Sequence, residues 1–129
     1  MKDKIEILVV DDELEMRNLL DKILKRDGYK VTLAENGQTA LQCLKDKKFD
    51  IVISDIKMPE MNGFELLKSI KEEKPDVGVI MMTGFGDAFT VKDAMILGAD
   101  EYITKPFKAH EISLILERTC LRKSMQNQQ

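Results

Sequence analysis

The chain has 129 residues, 43% of them apolar and 33% charged, with 20 Lys and Arg against 23 Asp and Glu and a formal net charge of -3. That length suits one domain whose single core buries roughly two thirds of the unfolded surface, so neither a metal nor a disulfide is required to hold it. The slight acidic excess excludes a sequence-independent nucleic-acid binder, which needs surplus cations against phosphates. No apolar run approaches the ~20 residues of a membrane helix, and Met-Lys-Asp-Lys opens no secretory signal, so the expectation is a cytoplasmic domain that binds neither nucleic acid nor membrane.

In chain order, continuous apolar runs alternate with helix-period stretches. Ile5–Val10 reads as a first strand and Glu13–Arg26, with Leu19, Leu20, Ile23 and Leu24, as a first helix. Lys30–Ala34 and Gly37–Lys47 form the second pair, Asp50–Ser54 and Gly63–Glu73 the third, Val77–Thr83 and Asp87–Leu97 the fourth, and Glu101–Thr104 and Lys108–Arg122 the fifth. The first, third and fourth runs lack a polar face, as expected of parallel strands covered on both sides. Gly28, Gly37, Pro75 and Gly98 punctuate the joints. Cys43 and Cys120 show no metal-binding or redox spacing and read as reduced thiols in helices. The domain spans 1–122, and 123–129 reads as a tail or the start of a linker.

Five β-α units imply a doubly wound parallel sheet whose ligands meet the carboxyl ends of the strands. Those ends carry Asp11 and Asp12, with Glu13 behind, after the first strand; Asp55 after the third; Thr83-Gly84 at the fourth; and Lys105-Pro106 at the fifth. One such Asp alone is an ordinary turn or capping residue. Three that converge repel one another and call for positive charge, which a hard divalent ion such as Mg²⁺ supplies together with Lys105.

Asp11-Asp12, the segment from Asp55 through Lys57-Met58-Pro59 to Gly63, Thr83-Gly84 and Tyr102-Ile103-Thr104-Lys105-Pro106-Phe107 together resemble the receiver domain of bacterial two-component response regulators, over about residues 4 to 122. The resemblance implies a flavodoxin-like (βα)5 fold of strand order 2-1-3-4-5. It makes Asp55 the phosphoacceptor for a histidine kinase or phosphotransfer protein. It assigns direct Mg²⁺ ligation to Asp12, Asp55 and the Lys57 carbonyl, with Asp11 acting through a water. Lys105, after a cis peptide to Pro106, pairs with the phosphoryl group, and Thr83 moves to donate to it. Tyr102 is the aromatic that turns into the space Thr83 leaves. Phosphoryl transfer asks for such positioning and charge neutralisation more than for covalent help.

Gly63 reads as a backbone requirement of the turn before the third helix, and bulky Phe85, two residues past Thr83, as a brake on phosphoryl loss. The expected readout surface is helix four, strand five and helix five, directed at an output domain or target protein, with a phosphorylation-dependent homodimer as a further outcome. In the last helix, Ile112, Ile115, Leu116 and Thr119 face the sheet, while Leu114 and Leu121 lie opposite, either as scattered surface leucines or as a partner surface. The chain is expected to catalyse only its own phosphorylation and dephosphorylation. An acidic loop after strand one would repel the phosphate of a flavin carrier, the spacing of a dehalogenase-type phosphatase is missing, and no GxxxxGK[ST] is present. The remaining alternative is a receiver that acts without phosphorylation, as an interaction module.

Overall fold

The computed structural model describes residues 2–84 and 88–127, with the backbone alone for 88–91 and 127. After a short 3-10 turn at Lys2–Lys4 come β1 (Glu6–Val10), α1 (Leu14–Arg26), β2 (Lys30–Ala34), α2 (Gly37–Asp46), β3 (Ile51–Asp55), α3 (Gly63–Glu73), β4 (Gly78–Gly84), α4 (Ala88–Ile96), β5 (Glu101–Lys105) and α5 (Ala109–Asn127). The strands form one parallel sheet of order β2-β1-β3-β4-β5, the flavodoxin-like arrangement expected.

Two apolar layers cover the sheet, and strand alternation decides which side chain joins which. Ile7, Val9, Ile51, Ile53, Ile80, Met82 and Ile103 pack under α1 and α5 with Leu20, Ile23, Leu24, Ile112 and Leu116. Leu8, Val10, Val52, Val79 and Met81 pack on the other face against Ala40 and Leu44 of α2, Leu66, Leu67 and Ile70 of α3, and Ala94 of α4. Central strands buried on both faces account for the runs without a polar side.

Local chemistry sets the joints. Asn36 caps α2 by accepting from the Thr39 N–H at 2.8 Å. Asn62 and Glu65 form a reciprocal capping box on α3. Gly28 and Gly98 turn the chain out of α1 and α4 at φ of 99° and 100°, where a Cβ is disfavoured.

Three sequence expectations shift. β3 extends one residue further than the apolar run, so Asp55 is its last residue rather than the first of the loop. Leu19, expected on the buried side of α1, is exposed. Helix α5 continues to Asn127, five residues past the expected stop at Arg122, because nothing among Lys123–Asn127 breaks a helix. As expected, Ile112, Leu116 and Thr119 are buried, and Leu114 and Leu121 are 65% and 63% exposed.

Candidate phosphoryl and metal site

Strand parity gathers the charged groups. Counting by twos from Val9, Ile53 and Ile103 leads to Asp11, Asp55 and Lys105, which therefore leave the sheet end on the side of α1 and α5. Lys105 Nζ lies 3.2 Å from Asp11 Oδ2 and 3.1 Å from Asp55 Oδ2. Thr83 has the opposite parity, with Met81, and emerges on the side of α3 and α4. Asp12, Glu13, Asp55, Lys57, Thr83 and Lys105 all border one cavity of about 260 Å³.

Asp11 is wholly buried and fixed on every side. Its backbone N–H donates to the Ala34 carbonyl, one carboxylate oxygen accepts from the Glu13 N–H at 2.8 Å and the other from Lys105, and its carbonyl accepts from Arg17 Nη1 at 2.8 Å. Asp12, next in the chain, is exposed. The pair thus divides into a fixed carboxylate and one directed at solvent.

Burial pushes the Asp55 carboxyl above its ordinary value of 3.8. Lys105 opposes that shift, the adjacent Asp11 reinforces it, and hydrogen bonds from Lys105 and the Lys57 backbone N–H oppose it again, but desolvation wins. Burial alone would weaken the Lys105 ammonium; Asp55 and Asp11 together outweigh it and raise the group above 10.5.

The donor set suits a hard dication. One carboxylate oxygen from each of Asp11, Asp12, Glu13 and Asp55 falls within 4.8 Å of the others, an all-oxygen set in which Lys105 offsets only part of the negative charge. Glu13 belongs to this cluster, although the sequence pattern placed it only behind the acid pair.

Gly63 is required by a close approach rather than by its turn. A Cβ there would lie 2.3 Å from the Asp55 carbonyl oxygen and 2.7 Å from the Ile56 Cα, and the Gly63 N–H donates to the Ile56 carbonyl at 2.8 Å. The first turn of α3 therefore rests directly on the backbone of Asp55. The left-handed residue of the preceding loop is Glu60, at φ 67°. The Lys105-Pro106 peptide is cis, as the resemblance implied.

Tyr102 is not in the cavity. It lies on the parity of Thr83 and is 41% exposed, an outward position. Sequence reasoning missed Arg17, whose reach back to Asp11 depends on the turn into α1, and Thr104, which the sheet register sets opposite Thr83. Phe85 lies outside the described residues. Cys43 and Cys120 are free and half-buried, and burial pushes the Cys120 thiol up, which suppresses its reactivity.

Comparison with known proteins places this geometry. The family model described as response regulator receiver domain matches residues 7–117. The transcriptional regulatory protein ZraR of Klebsiella oxytoca is 40% identical over 114 residues, 88% of this chain and 26% of that protein. The regulatory protein AtoC of Escherichia coli is 37% identical over 122 residues, 95% of this chain and 26% of that one. The chain thus spans about a quarter of the length of these regulators. Among solved structures, NtrX from Brucella abortus superposes with a TM-score of 0.92 at 34% identity, covering 95% of this chain and 28% of that one. A response regulator receiver domain protein from Clostridium thermocellum gives 0.89 at 34% identity, covering 95% and 98%. An acidic strand-end pocket with its lysine, the sheet order and the match across nearly the whole fold agree: the chain belongs to the response regulator receiver domain family, the signalling switch of two-component systems.

Proposed function

We propose that Asp55 accepts a phosphoryl group from the phosphohistidine of a sensor histidine kinase or phosphotransfer protein. An Asp55 carboxylate oxygen attacks phosphorus, the O–P bond forms as the N–P bond breaks, and the histidine nitrogen keeps the electron pair. The observation that carries this reading is the position of Asp55: last residue of a buried strand, on the cavity wall, 3.1 Å from Lys105 and within the four-carboxylate cluster.

Asp12, Asp55, the Lys57 carbonyl and, through a water, Asp11 would hold Mg²⁺. When bound, the ion supplies neutralisation of charge on the transferring oxygens. Lys105, already between Asp11 and Asp55, reorients toward a phosphoryl oxygen as the group adds about -1.5 to -2 charges. Thr83 turns to donate to a second oxygen, and the outward Tyr102 follows into the space it leaves. Moving such an equilibrium from 1:99 to 99:1 takes about 5.5 kcal/mol, which two charge-assisted contacts approach.

The switched surface comprises α4, β5 and α5 and acts on an output domain or target protein. The transcriptional regulators among its relatives support control of transcription as the process. No helix among the described residues is long and apolar enough to cross a membrane, in keeping with a cytoplasmic site of action. The test is incubation with acetyl phosphate and Mg²⁺ followed by mass measurement: a phosphoryl adduct that Asp55→Asn abolishes is expected. An adduct that survives Asp55→Asn, or none at all, leaves the interaction-module reading instead.

A further inference from the structure

The register of β4 on β5 places Thr104 directly opposite Thr83, and both side chains emerge on the same face as Tyr102. Thr83 is 1% exposed, and its hydroxyl donates to the Thr104 hydroxyl at 3.5 Å, its hydrogen-bond partner among the described residues. Because β4 lies between β3 and β5, this contact draws the Thr83 hydroxyl toward β5 and away from Asp55 at the end of β3.

A hydroxyl pair at 3.5 Å is long and contributes little by itself. The alternative matters more, because a buried hydroxyl left without a partner costs more than a weak bond returns. We infer that Thr104 is a positioning residue that sets the resting bias of the switch, by giving the Thr83 hydroxyl a place on the β5 side that it must give up to reach the phosphoryl group. The inference rests on the reading of Asp55 as acceptor and Thr83 as its switch. It assigns Thr104 two contributions of the same sign. At rest its hydroxyl satisfies Thr83; after switching, its own hydroxyl has lost that partner. Replacing it by valine, close in shape but without the oxygen, removes both and favours the switched state.

The chain contains two tyrosines, of which Tyr29 is buried and Tyr102 is the proposed reporter. Labelling with 3-fluorotyrosine therefore gives two fluorine resonances, and the Tyr102 line reads the switch. Beryllofluoride titrated at fixed Mg²⁺ stands in for the phosphoryl group. Thr104→Val and Thr104→Ala should reach the midpoint at about five- to tenfold lower beryllofluoride than the unsubstituted chain, and Thr104→Ser should match it. A midpoint in Thr104→Val and Thr104→Ala that is unchanged or higher overturns the role of Thr104 while leaving the acceptor reading intact. No Tyr102 shift in the unsubstituted chain overturns the inference and the proposed movement of Tyr102 but not the acceptor reading, which the mass measurement decides. A shift that persists in Asp55→Asn overturns the acceptor reading and the inference with it.

Discussion

The Lys105 ammonium stands 3.1 Å from the carboxylate of Asp55, so the lysine proposed to meet the phosphoryl group already offsets the charge of the proposed acceptor. The same ammonium reaches Asp11 at 3.2 Å, which makes it a competitor of any metal ion drawn to the cluster.

Lys105→Met tests that competition. Removing the ammonium leaves Asp11 and Asp55 without a shared partner, and chemical denaturation at pH 7 without Mg²⁺ should show a loss of about 1–3 kcal/mol. Calorimetric titration of the same variant should show Mg²⁺ binding several-fold tighter, because the dication no longer displaces a resident charge. Weaker Mg²⁺ binding contradicts the proposed competition.

Asp55→Asn should stabilise the metal-free protein at neutral pH. The raised pKa of Asp55 means that the fold favours its protonated form, so ionisation costs stability. The sign follows: the unfavourable contribution is present above the raised pKa and vanishes as pH falls below the ordinary value of 3.8, where both states are protonated. Thermal midpoints of the two proteins should differ at pH 7 and draw together toward pH 4.

Gly63→Ala should cost about 1–3 kcal/mol through overpacking, since the added Cβ meets backbone atoms of Asp55 and Ile56 that cannot rotate away. Acetyl phosphate labelling of Asp55, the proposed acceptor, should slow as well, because relief of the clash moves its backbone. Stability equal to the parent would show that α3 shifts freely.

Glu60→Gly acts in the opposite direction. At φ 67° the glutamate occupies the left-handed region, and its exposed side chain leaves room for the exchange. Relief of the steric cost, less the entropy of an added glycine, should leave a gain of about 0.5 kcal/mol in denaturant unfolding.

Glu13→Gln should weaken Mg²⁺ binding a few-fold by calorimetry, with little change in fold, because its carboxylate is exposed and belongs to the acidic cluster. Unchanged affinity would place Glu13 outside the metal's reach.

Much of the architecture was legible because two-sided burial writes itself into β1, β3 and β4 as unbroken apolar runs, and the glycines mark the exits of α1 and α4. The strand-end acids and Lys105 were legible because each immediately follows or closes such a run. Register was not. Nothing in a linear pattern places Thr104 opposite Thr83, since that pairing depends on how far β4 and β5 slide past each other. The need for Gly63 was visible but not its reason, a contact with Asp55 across eight residues. The length of α5 was underestimated because a mostly polar stretch without a breaker, from Lys123 to Asn127, is equally compatible with coil and with helix.

The opposite parities of Asp55 and Thr83 divide the work of the sheet. Asp55, Asp11 and Lys105 share the strand parity of the layer under α1 and α5, whereas Thr83, Thr104 and Tyr102 share that of the layer under α2, α3 and α4. On the proposed reading, capture is thus rooted on one side of the sheet, while the readout straddles it, with α4 on the far side and α5 on the side of capture. If that reading holds, substitutions buried beneath α1 should retune how readily the domain is charged, those beneath α4 should retune what it reports, and those beneath α5 should touch both.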